Sequence, residues 1–222
     1  MDIALWSAAH LLVIGYWLGT DLAVYYLSGF IVDSSRPLAA RLLATRSMLV
    51  LDMVPRTALI LTTVLGLTLS ARLGLIPGLQ PWLGLLWAVG LAWLALTLTV
   101  FKLEGKSIGH VLAWIDFGFR VLLVAAAAWL AVDSGSEGGV VAHAPWLGAK
   151  IALLGLSIAM GLVIRLQLKP FGPLFSKVAA GTASAQDEAA LRRLIAQVKV
   201  PVWVIWIAVI LAAVLGSTHW VP

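Results

Sequence analysis

"SAAHLLVIGYWLGTD", residues 7–21, decides how this chain folds. It sets an imidazole, His10, and a carboxylate, Asp21, into a run otherwise suited to hydrocarbon. At helical spacing His10, Ile14, Trp17 and Asp21 are separated by four, three and four residues, so they line one helical face. Polar groups at membrane depth are costly and face a bundle interior or a cavity. The run therefore reads as a membrane-spanning helix with one inward stripe. The rest of the chain must supply the helices that cover it.

The composition agrees. Of 222 residues, 62% are hydrophobic and 11% charged, and the mean hydropathy is +1.02. A soluble domain is nearer half apolar and a quarter charged. A span needs about 20 mostly apolar residues. Six are expected, at about 5–31, 53–72, 82–101, 109–132, 146–167 and 202–218, within a single integral membrane domain covering 1–222. The fold class is all-α, a polytopic six-helix bundle. Breaks fall at "DSSRP", "IPGLQP", "KLEGK", "DSGSEGG" and the long stretch 168–200. In that stretch Ser184 precedes Asp187 by three residues, a helix-start spacing. A short amphipathic surface helix running into the sixth span is expected there, with another over 36–50. The sixth span is expected to start just after Pro201, as a first-turn proline would. Gly15 and Gly19 form a small-xxx-small pair that permits close helix approach.

Twelve of the fifteen basic residues fall in the first, third and fifth connections and their flanks. The positive-inside rule places those connections in the cytoplasm and both termini outside, with a bacterial inner membrane as the expected location. The net charge of +5 then reflects these loops rather than affinity for nucleic acid. Eleven tryptophans, many near the ends of apolar runs, suit an interfacial belt. No cysteine is present, which excludes disulfides, thiolate metal sites and thiol catalysis. The N-terminus shows no positive region with a cleavage site, so no removable signal peptide is expected. There is no phosphate-binding glycine loop, HExxH or GxSxG. No internal repeat or matched pair of broken spans suggests a transporter.

With a rise of ~1.5 Å per residue, His10 lies on the order of 10 Å outward of the midplane. Lys150, entering the fifth span from outside, comes to the same depth, and His143 and His219 also lie toward that face. Asp21 and Arg120 fall near mid-span. Asp116 and Arg120, like Asp52 and Arg56, are four apart, a spacing that allows an intrahelical ion pair. His110 is near the cytoplasmic start of the fourth span. Each residue also has a purely structural reading. His10 could hydrogen-bond to a neighbouring helix, the two acid–arginine pairs could hold helices together, and Lys150 could snorkel to the interface. His143, His219 and His110 could be solvated.

"LWSAAHLLVIGYWLGTDLAVYYL" resembles the first span of the HemJ-type protoporphyrinogen oxidases and the related CopD-like membrane proteins, through His10, Trp17 and Gly19. "PWLGAKIALLGLSIAMGLVIRLQLKPF" resembles that family's WLxxK span through Trp146, Leu147 and Lys150. The basic loop and final span that follow also match it in layout. The resemblance covers spans one, two, five and six. Spans three and four, about 76–132, would be an insertion relative to a four-helix layout. The family carries a further histidine in its WLxxK span, and "LSIAMGLVIR" has none.

The resemblance implies a b-type haem protein with a redox or porphyrin-handling role, and with it a haem-dependent membrane oxidoreductase. His10 would be the iron ligand. Lys150, with Arg120, would meet propionates or a substrate carboxylate, and Trp17 would pack on the macrocycle. Expected partners are the lipid bilayer, a porphyrin or quinone-like small molecule, and a second copy or another membrane subunit. Two other readings stand beside this one. One is copper handling by His10, His143 and His219, since imidazole suits copper. The other is a non-catalytic subunit of a larger complex.

Overall fold

The computed structural model describes residues 3–136, 138–141 and 144–218. His143 and His219 lie outside them. The described residues form eight α-helices and one short 3-10 turn, with no strand among them. The helices are α1 (Ile3–Val32), α2 (Leu38–Leu51), α3 (Met53–Arg72), α4 (Leu83–Lys102), α5 (Ser107–Asp133), α6 (Pro145–Gln167), α7 (Phe171–Ala179) and α8 (Ala185–Thr218). Six helical segments are long and apolar enough to cross a membrane, and they correspond to the six expected spans. The chain is therefore built as a multi-pass membrane protein.

The spans pack in chain order. α1 meets α3, α3 meets α4, α4 meets α5, α5 meets α6, α6 meets α8, and α8 closes back on α1. The six make a ring. Its core joins Ile14 and Trp17 of α1, Leu59 and Ile60 of α3, Trp93 of α4, Ile158 of α6 and Ile205 of α8. The stripe read from α1 is buried as expected at His10, Ile14, Trp17 and Asp21. Its opposite face carries the exposed Leu12, Tyr16 and Leu22, which suits contact with lipid.

Gly15 and Gly19 lie on that outward face. A Cβ added at either would meet nothing within 4 Å, so this pair makes no close helix approach within the chain. The stripe that turns His10 and Trp17 inward turns both glycines outward. Close approach occurs elsewhere, as at Gly155 of α6, where a Cβ would sit 2.7 Å from the Ala127 Cβ of α5.

The two expected surface helices are more firmly built in. α2 is separated from α3 by Asp52 alone. Arg41 is buried, donates from Nε to the Ile31 carbonyl at 2.8 Å, and grips Glu188 with both terminal nitrogens at 2.8 Å each. This fork ties α2 to the start of α8. Ser184 opens α8 as its spacing predicts: its Oγ accepts from the Asp187 amide at 3.1 Å, and Asp187 accepts from the Ser184 amide at 3.0 Å. From there α8 runs unbroken for 34 residues, with Pro201 inside it. The amphipathic stretch runs into the sixth span as expected, but within one continuous helix, so Pro201 lies inside it and not in a first turn; Arg41 on Glu188 and the buried Leu191, Leu194 and Ile195 hold the stretch before it. α7, absent from the sequence reading, packs Phe175 and Val178 onto this inner end.

In the turn from α1 to α2, the Ser35 hydroxyl and amide donate to Asp33, at 2.6 and 3.1 Å, and Arg36 Nε donates at 3.0 Å. The serine, foremost, holds the Asp33 carboxyl below the usual carboxylate range.

Candidate functional site: a cavity between four spans

Inside the ring lies a cavity of about 310 Å³. It is walled by the N-terminal halves of α1 and α6 and the C-terminal halves of α3 and α8. Ser7, near the start of α1, and Ser217, near the end of α8, both line it, so the start of α1, the end of α8 and the cavity share one end of the bundle. The volume is at the small end of the ~300–1,000 Å³ typical of ligand pockets. Its walls are mostly aliphatic, with Trp17 and Trp146 among them.

His10, Trp17 and Lys150 all line this cavity. The depth argument set His10 and Lys150 at one level, and the fold brings them to one chamber. His10 is only 7% exposed, and its Nδ1 is buried without a hydrogen-bond partner. Thr62 of α3 lines the same wall, and its Oγ1 is likewise buried and unpartnered. Buried polar groups are normally satisfied, so two orphans in one chamber call for a missing partner. Lys150 makes no ion pair with any carboxylate among the described residues.

Each of the two side chains rests against a glycine on a neighbouring helix. A Cβ at Gly66 of α3 would lie 3.1 Å from His10 Cε1. A Cβ at Gly216 of α8 would run into Lys150 Nζ. Neither glycine stands out in the sequence, because the reason for each is a side chain far away along the chain.

The other candidate residues lie apart. Arg120 does not line the cavity. It donates from Nε to Asp116 Oδ2 at 2.9 Å, the pair its spacing predicted. Two further partners were not legible. Arg165 of α6 donates from Nη1 to the same oxygen at 2.9 Å, and Trp93 Nε1 donates to Asp116 Oδ1 at 3.1 Å. Asp21 accepts from Trp206 Nε1 at 2.8 Å. Asp52 and Arg56 form their expected pair. His110 is exposed in the first turn of α5 and accepts from Trp114 Nε1 at 3.1 Å, away from the cavity. No cluster of three or more His, Cys, Asp or Glu suited to a metal ion occurs among the described residues.

Compared with family models, curated proteins and solved structures, the chain gives no match. The functional reading therefore rests on the cavity itself.

The residues present fit a haem in their chemistry. The cavity offers one imidazole with an unsatisfied nitrogen, apolar and aromatic walls, and one cation without a carboxylate. A planar apolar ring with an iron centre and carboxylate substituents needs those three things.

Proposed function

We propose that this is a haem-binding protein of the bacterial inner membrane, with a redox or porphyrin-handling role. The observation that carries it is the meeting of the unpartnered His10 and the unpaired Lys150 in one apolar chamber. The four walls, α1, α3, α6 and α8, are the spans on which the resemblance to HemJ-type and CopD-like proteins falls. Twelve of fifteen basic residues lie at or toward the opposite end, so the positive-inside rule turns the chamber and both termini to the outer face.

In this reading His10 would hold the iron through its imidazole and Lys150 would pair with ligand carboxylates. Trp17 forms part of the apolar wall. Thr62 offers a hydroxyl beside the same space. Bound there, haem would supply one-electron iron chemistry at a potential raised or lowered by its apolar surroundings. Among the described residues the cavity holds no second imidazole.

The test is the visible spectrum of the detergent-purified protein, oxidised and dithionite-reduced, beside His10→Ala. The expected result is a Soret band that is lost or shifted in the variant. A colourless wild type, made with ample haem, would refute the reading.

A further inference from the structure

A buried guanidinium with spare donors lies on the other side of the ring, away from the cavity. Arg120 is 9% exposed, and its guanidinium sits 5.2 Å from the Trp93 ring. Only its Nε is used, on Asp116. Its two terminal nitrogens have no hydrogen-bond partner among the described residues, yet they form the fork that matches an oxyanion. Asp116 Oδ2 is meanwhile shared between two guanidinium groups, Arg120 and Arg165, each at 2.9 Å. Arg165 spends Nη2 on the Ala113 carbonyl at 3.1 Å. Arg56 of α3 is within Coulombic range of both Asp116 and Arg120, and Asp52 pairs with it. Glu104, exposed, faces Arg56 but bonds to none of the three arginines. Asp116 thus answers two guanidinium groups with one carboxylate; Arg120 is the buried one of the three arginines, while Arg165 and Arg56 are partly exposed. A buried guanidinium whose fork has no partner is costly at membrane depth.

We propose that Arg120, supported by Arg165 and Arg56, binds an oxyanion of the phosphate type, presented from the end of the bundle opposite the cavity. The terminal nitrogens of Arg120 take two of its oxygens, and Asp116 fixes the guanidinium plane by holding Nε. The phosphate can come from a phospholipid of the inner leaflet or from free solute. This site does not depend on haem, and it places Arg120 in a role separate from His10 and Lys150.

Native mass spectrometry of the full chain in detergent tests it, with phosphatidylglycerol, phosphatidylcholine and inorganic phosphate as probes. Phosphatidylglycerol should bind wild type, and Arg120→Ala should weaken it roughly tenfold or more, the loss expected for hydrogen bonds to a charged group. Arg120→Lys keeps the ion pair with Asp116 but not the fork. It should weaken binding similarly, and it carries the comparison if the alanine variant does not fold. Lys169→Ala, a cation at the same end but outside the cluster, should leave binding unchanged and so measures annular lipid. If inorganic phosphate shows this pattern and the lipid does not, the site stands with a soluble source. No adduct on wild type, equal binding by phosphatidylcholine, or wild-type affinity retained by both Arg120 variants would overturn the proposal.

Discussion

Gly66→Ala should stabilise the fold and weaken the site at once. In a helix interior alanine is favoured over glycine by about 1 kcal/mol, which for a chain of this size corresponds to a rise of roughly 2–4 °C in Tm. The new Cβ would lie 3.1 Å from His10 Cε1 and 3.8 Å from each ring nitrogen. Carbon atoms pack best at about 3.5–4.0 Å, so the imidazole must retreat by about 0.4 Å or more. Holding a side chain off its preferred rotamer costs about 0.5–1.5 kcal/mol. At 1.4 kcal/mol per tenfold, haem affinity should fall roughly threefold to tenfold. The assay is thermal unfolding in detergent without haem, alongside a haem titration followed by absorbance. Gly15→Ala is the control, since no atom lies within 4 Å of a Cβ there. It should gain the same stability and lose no affinity. A Gly66→Ala protein that binds haem as tightly as wild type, with an unchanged spectrum, would show that the contact does not set the imidazole.

Lys150→Met should weaken binding of haem far more than binding of its dimethyl ester, because the ester has no carboxylate for the ammonium; equal losses would place Lys150 in a packing role only. Asp116→Ala removes the one carboxylate between Arg120 and Arg165, and breaking a buried pair costs about 3–5 kcal/mol. Unfolding in mixed micelles should show that loss, while a change under 1 kcal/mol would mean that water already solvates both guanidinium groups. Arg41→Ala frees Glu188 and the Ile31 carbonyl, and the start of α8 should become a preferred protease site; protection equal to wild type would argue that α7 alone holds that end.

The legible parts were local ones. The buried stripe of α1, the pairs Asp116–Arg120 and Asp52–Arg56, and the Ser184–Asp187 helix start all rest on spacings of three or four residues, which helix geometry alone interprets. The six spans follow from the length of their apolar runs. What escaped depends on residues far apart. Arg165 reaches Asp116 across 49 positions, and Arg41 reaches Glu188 across 147. Gly66 and Gly216 matter because of side chains on α1 and α6. Depth along a helix put His10 and Lys150 at one level correctly. Arg120, which depth sets apart near mid-span, joins them only through what the resemblance implies, and it does not line the cavity. Gly15 and Gly19 show a different error, a motif read without asking which way the helix faces. Pro201 reads as a first-turn proline, yet it lies inside the helix that the amphipathic stretch runs into the sixth span.

The ring closes where α8 meets α1, the last of the six spans against the first. Both walls of that seam line the cavity, and the glycine on which Lys150 rests is two residues from the end of α8. On the ribosome His10 emerges more than two hundred residues before Gly216. The chamber therefore has no complete wall during synthesis. If the chamber takes the proposed haem, loading must follow insertion of the final span, and a chain stalled or cut before α8 would carry its histidine in the membrane with nothing to hold.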